Sequence, residues 1–300
     1  QRVARLLEHP LLVADDDLRR AELHLRFGGW LERTTGERLV ELQEIVGFHL
    51  EQAHRYRREI GLVGDVYRDA AVRGGGHLGA AGRRALARGD LPAAVGLLDR
   101  AVALLPEGSS GRAGLLAALG SALTEQGDFA RAAAVFEGAS EAAAVAGDAE
   151  QESHTSLTRL HLFFFTDPNG VAEATQREVE RLVPLFTARG DELGLAKARR
   201  RLAMVYRTRR DIRGMEAELE RAIAHARAAG DAREEARSLG LLATAAFLGP
   251  TPVADGLERC ARIRREAGGN SIVERAVLVA LAGLEAMGDA FPDARVHLDE

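Results

Sequence analysis

Nine histidines and several adjacent carboxylates are the residues here that could hold a metal or move a proton. A zinc site on one helix needs two histidines one turn apart, to which a zinc protease adds a glutamate base, and no such HExxH run occurs. His49 and His54 are five residues apart, which sets them on different sides of a helix. His49 falls on an apolar stripe with Leu42, Val46, Ala53, Tyr56 and Ile60, and the stripe predicts a packed, hydrogen-bonded core residue. No serine has the G-x-S-x-G setting of a nucleophile elbow, and Ser109 and Ser110 lie in a Pro/Gly-rich loop. The carboxylates of Asp15-Asp16-Asp17 and Glu234-Glu235 stand at expected helix starts, where the helix dipole favours negative charge. A phosphate-binding loop needs a lysine after its glycines. The sole lysine, Lys197, has no such loop before it, and Gly74-Gly75-Gly76 runs into His77. A lone cysteine, Cys260, allows neither an intrachain disulfide nor a cysteine cluster for metal. No catalytic residue, cofactor or metal is therefore expected.

The elements around these residues are announced by a recurring pair. Gly89-Asp90, Gly127-Asp128, Gly147-Asp148, Gly190-Asp191, Gly230-Asp231 and Gly288-Asp289 each end one Ala/Leu/Arg-rich stretch and open the next. Glycine suits the left-handed position just past a helix, and aspartate accepts from the free N–H groups of the helix that follows. The punctuation predicts a ladder of similar helices. Turns within the helix pairs fall near Asp90, Asp128, Pro168, Asp211, Pro250 and Asp289, at intervals of roughly 40 residues. At 46% hydrophobic but only 5% aromatic, the chain suits helices packed closely through small side chains rather than strands. The net charge of −5 implies no general attraction to nucleic acid or an anionic membrane. The longest uncharged stretch, Ser238 to Ala254, is broken by Gly249-Pro250-Thr251-Pro252 and does not read as a spanning helix.

In the block Ala113–Ala139, a first helix carries Leu116, Leu119, Gly120 and Leu123, and a second carries Ala132, Phe136 and Ala139. The preceding block repeats this with Ala81, Gly82, Ala85, then Ala94, Leu98 and Ala101. Both resemble the tetratricopeptide (TPR) repeat, in which a small residue on the first helix lets the second approach. Arg20–Phe27 with Trp30-Leu31-Glu32, Glu44–Ala53 and Gly82–Asp90 resemble the segment that joins the ATPase to the helical repeats in bacterial STAND-type signalling ATPases linked to adenylate cyclase or LuxR-type outputs. The resemblance implies a sensor and oligomerisation arm that controls an attached ATPase or an output domain such as a transcriptional regulator. The lone cysteine predicts a reducing, cytoplasmic compartment, and the start at Gln1 with a stop at Glu300 inside a helix predicts part of a longer protein. The expected fold is an all-α, right-handed α-solenoid of TPR-like helix-turn-helix repeats over 73–300. A helical linker over 1–72 precedes it, with a helix over 18–32 capped by the three aspartates, a helix over 39–60 and a break at Gly74–Gly76.

Carrying the inner face of a TPR array onto this chain selects His154, His161, Phe164 and Phe165 from one repeat, and Lys197, Arg200, Met204 and Arg207 from the next. An aromatic patch beside a cationic one suits a protein or peptide with apolar anchors and acidic residues. That partner includes the ATPase or output domain of the same polypeptide. A scaffold or dimerisation role, or a small-molecule effector, are the alternatives, while interspersed acids and few stacking aromatics argue against nucleic acid.

Overall fold

The computed structural model describes residues 10–61, 64–109, 111–167 and 170–299, with side chains from Asp15 onward. Ser110 and Pro168, named above in loops, lie outside the described residues. The described residues form an all-α solenoid of 14 α-helices with no strand among them. The chain divides into two compact units, one ending at Leu162 and the other beginning at Phe163. The first holds α1 (Pro10–Thr34), α2 (Leu39–Glu59), α3 (Asp65–Arg88), α4 (Leu91–Leu104), α5 (Arg112–Gln126), α6 (Phe129–Ala146) and most of α7 (Ala149–Thr166). The second holds α8 (Val171–Arg189), α9 (Glu192–Thr208), α10 (Ile212–Ala229), α11 (Ala232–Leu248), α12 (Val253–Ala267), α13 (Ser271–Met287) and α14 (Phe291–Asp299).

The Gly-Asp pairs act as the sequence implies. Gly89, Gly127, Gly147, Gly190 and Gly230 take left-handed φ values between 65° and 89°. The aspartate after each accepts from a backbone N–H in the first turn of the next helix, as Asp128 does from Arg131 at 3.2 Å and Asp231 from Glu234 at 2.8 Å. Two turns depart from the pattern. Arg210, before Asp211, takes the left-handed position at φ 58° without being glycine. At Gly288-Asp289 the glycine stays right-handed and Asp289 takes φ 62°.

Small residues on the first helix of a pair admit large ones from its neighbour. A Cβ on Gly120 of α5 would lie 2.8 Å from the Phe136 ring of α6, and one on Gly82 of α3 would lie 2.8 Å from Leu98 of α4. Around these contacts Leu78, Leu98, Leu119, Leu123 and Phe136 form the core of the first unit. Met215, Leu219, Ala243, Cys260, Val277 and Leu284 lie in the core of the second. Ion pairs tie alternate helices, among them Glu51 of α2 with Arg100 of α4 and Glu216 of α10 with Arg259 of α12.

Three expectations at the N-terminal end are corrected. Gly74, Gly75 and Gly76 make no break, because α3 runs through them. A Cβ on Gly74 would lie 3.1 Å from Leu50 and one on Gly75 3.1 Å from the Ala101 carbonyl oxygen, so these glycines serve close helix approach. The three aspartates cap nothing, since α1 begins at Pro10; Asp15 and Asp17 pair along the helix with Arg19 and Arg20. His49 is not core: Val46, Leu50 and Ala53 are buried, while His49 flanks them half-buried.

Candidate functional site

The residues selected from the inner face divide between the two units. His154 and His161 lie half-buried on α7 in the first. In the second, Phe164 is half-buried and Phe165 is 53% exposed in the last turn of α7. Lys197, Arg200, Met204 and Arg207 follow one another along α9 at helical spacing. Lys197 and Met204 are half-buried and Arg207 is exposed.

Arg200 is different, and the reason begins with a cap. Asp231 fixes the first turn of α11 by accepting from the Glu234 N–H, which places Glu234 at the third helical position, facing α9. There Arg200 donates to it twice, Nε to Oε1 and Nη2 to Oε2, the latter at 3.3 Å. Both residues are buried, so Arg200 is an internal half of the α9–α11 seam and not an open cation. Burial by itself would raise the Glu234 carboxyl, but the Arg200 charge and its hydrogen bonds outweigh that and bring it to about 2. Lys197 sits by the same seam. Burial lowers its pKa against the opposing pull of Glu234 and Asp231. Arg199 turns the other way and donates to Glu218 of α10 at 3.2 Å. Much of the cationic run on α9 is thus spent on packing.

A second cluster lies on α1 and α2. Leu23, Phe27 and Trp30 recur on one face of α1, and Ile45 and Phe48 on one face of α2. All five are exposed, Trp30 by 50% and Phe27 by 43%. Phe27 and Trp30 stack with ring centroids 5.7 Å apart, and Phe27 meets His49 edge-on at 4.7 Å. His24 continues the row to Tyr56, over whose ring Arg20 and Arg55 lie at 5.9 and 5.1 Å. His24 Nδ1 lies 2.8 Å from His49 Nδ1. Burial lowers both imidazole pKa values, assisted at His24 by the Arg55 charge and at His49 by His24 itself. Large side chains that a soluble helix would normally turn inward are here turned outward together. The signal was present in the sequence as apolar residues at i, i+4 and i+7 from Leu23, but the same spacing equally describes a buried face.

Three further reactive groups, Cys260, His54 and His77, are committed to packing. Cys260 is buried and its thiol is pushed up to about 11 by burial, which suppresses the thiolate. His54 bonds the Tyr67 carbonyl at 3.1 Å, and His77 joins Glu32 at 2.9 Å. No described helix is long and apolar enough to cross a membrane.

No protein-family model and no curated relative matches the chain. Among solved structures it is similar to BtubC (BKLC) from P. vanneervenii, at 16% identity and a TM-score of 0.47 over 77% of this chain and 88% of that one. It is also similar to a Signal Transduction ATPase with Numerous Domains (STAND) protein with a tetratricopeptide repeat sensor from Pyrococcus horikoshii, at 11% identity and a TM-score of 0.36 over 93% of this chain. The match spans about half of that second protein, 51% of its length. Both scores fall below 0.5, so the functional reading rests on this chain's own surfaces.

Proposed function

We propose that this chain is a non-catalytic recognition module that binds a protein or peptide partner and thereby regulates an attached ATPase or output domain. The exposed row of Leu23, Phe27, Trp30, Ile45 and Phe48 carries the reading. Trp, Tyr and Arg dominate the energetics of protein interfaces, and Trp30, Tyr56, Arg20 and Arg55 lie within this one row. Its rings bring large apolar area at little conformational cost. Glu234 and Cys260, whose pKa values depart from normal, are buried in helix packing, which supports a binding role over chemistry. The inner face of α9 offers a second contact region through Met204 and Arg207, with Phe164 and Phe165 of α7 in the same unit.

Affinity capture from source-cell lysate tests this with three baits: the unaltered chain, Phe27→Ser/Trp30→Ser, and Phe164→Ser/Arg207→Glu. Circular dichroism first establishes that all three are folded. A partner lost with the first variant and kept by the second supports the α1–α2 surface, and the reverse moves recognition to the inner face. Equal capture by all three baits refutes both surfaces. A ligand-dependent rise in melting temperature with a metabolite, without any captured protein, favours the small-molecule alternative.

A further inference from the structure

Two helices of the first unit bring a pair of imidazoles nose to nose. His24 is on α1 and His49 on α2, 25 residues apart, and their Nδ1 atoms are 2.8 Å apart. In this contact one ring donates its Nδ1 proton and the other accepts, so only one of the two lone pairs is in use. No carboxylate contacts either ring among the described contacts; the neighbours are Phe27, Phe48 and Tyr56, with Arg20 and Arg55 over the Tyr56 ring. We propose that His24 and His49 form a two-histidine site for an imidazole-seeking late transition ion, zinc(II) or copper(II), on the surface of the α1–α2 hairpin.

The geometry is close to what such an ion needs. At Zn–N distances of about 2.0–2.1 Å, neighbouring ligands of a tetrahedral ion stand about 3.4 Å apart. The two Nδ1 atoms therefore need to part by only about 0.6 Å, within reach of small side-chain rotations. Both rings are half-buried rather than enclosed, which leaves the outer coordination positions to water. Ligation needs both Nδ1 lone pairs free of protons. Proton balance is simple. The shared Nδ1 proton moves to Nε2 of the same ring, both Nδ1 lone pairs face the ion, and no net proton is released. The nearby Arg55 charge opposes a dication, so the site is weaker than a four-ligand structural zinc site.

Trp30 provides a local reporter, because it is the chain's one tryptophan and stacks on Phe27, which touches His49. The chelator-stripped full chain is titrated with ZnCl2, CuCl2 and, as a hard-cation control, MgCl2, by calorimetry and Trp30 fluorescence. His24→Ala, His49→Ala and His54→Ala are run alongside, with His24→Gln in reserve should His24→Ala fail to fold. One saturable equivalent of zinc or copper is expected, weakened roughly tenfold or more by either the His24 or the His49 change and unaffected by His54→Ala or by magnesium. Saturation by one ion alone decides between zinc and copper. Absence of saturable binding up to millimolar metal overturns the proposal. So does binding that survives the loss of either His24 or His49.

Discussion

The α9–α11 seam makes a quantitative demand on the fold. Glu234→Gln keeps the side chain's shape but removes its charge, leaving the Arg200 guanidinium buried with a neutral partner. Breaking a buried pair from one side costs about 3–5 kcal/mol, because the remaining charge has lost its compensation. Titration gives a second route to the magnitude. The Glu234 carboxyl stands at about 2 in the folded chain against an ordinary 4.5. At about 1.36 kcal/mol per pH unit this amounts to roughly 3 kcal/mol. The sign follows from proton binding. The folded value is depressed, so the stabilisation is full above pH 4.5 and is lost as pH falls toward 2. Urea denaturation followed by far-UV circular dichroism at pH 7 should show Glu234→Gln lowering stability by about 3 kcal/mol, with Arg200→Met costing a similar amount. Arg200→Met/Glu234→Leu should recover most of it, since replacing both ends of a buried pair by apolar groups is close to neutral. Repeated at pH 3, the gap between wild type and Glu234→Gln should narrow. A single-variant loss below about 1 kcal/mol, or a double variant no better than the sum of the singles, would refute the buried-pair reasoning.

Glycines divide by what their missing Cβ would meet. Gly120→Ala forces a methyl to within 2.8 Å of the Phe136 ring and should cost a net 1–2 kcal/mol or so, whereas Gly96→Ala in α4, with nothing within 4 Å, should gain about 0.5–1 kcal/mol. Melting temperatures of the two variants read opposite signs if this is right. Arg210 holds a left-handed turn that glycine fills elsewhere, so Arg210→Gly should stabilise by about 1 kcal/mol, seen as a higher urea midpoint. Phe136→Ala, emptying the space beneath Gly120, should cost about 3–5 kcal/mol in the same assay.

Much of the fold was legible because its signals are local. A glycine that must be left-handed and an aspartate that caps the next turn act through neighbours in sequence, so their recurrence announced the helices and the turns between them. Gly120 with Phe136 was readable for a related reason, since the two lie within one helical hairpin. The site was less legible. Arg200 and Glu234 are 34 residues apart, and nothing in either segment says that a cation on α9 will find a carboxylate at the capped start of α11. The run of arginines on α9 reads equally as a solvated face, a binding face or an internal pair. His24 and His49 posed the same difficulty across α1 and α2, and the stripe through His49 named the right face but not its centre, which lies at Val46, Leu50 and Ala53. The triple glycine misled because a turn and a tight helix crossing both call for a missing Cβ, and only the position of Leu50 and Ala101 distinguishes them. By itself, then, the sequence determined that this chain is a series of capped helices paired through small residues, since those preferences are settled within a few residues of backbone. Which charges are spent inside and which rings are left facing out was decided only by tertiary packing, because burial belongs to a side chain's neighbours in space.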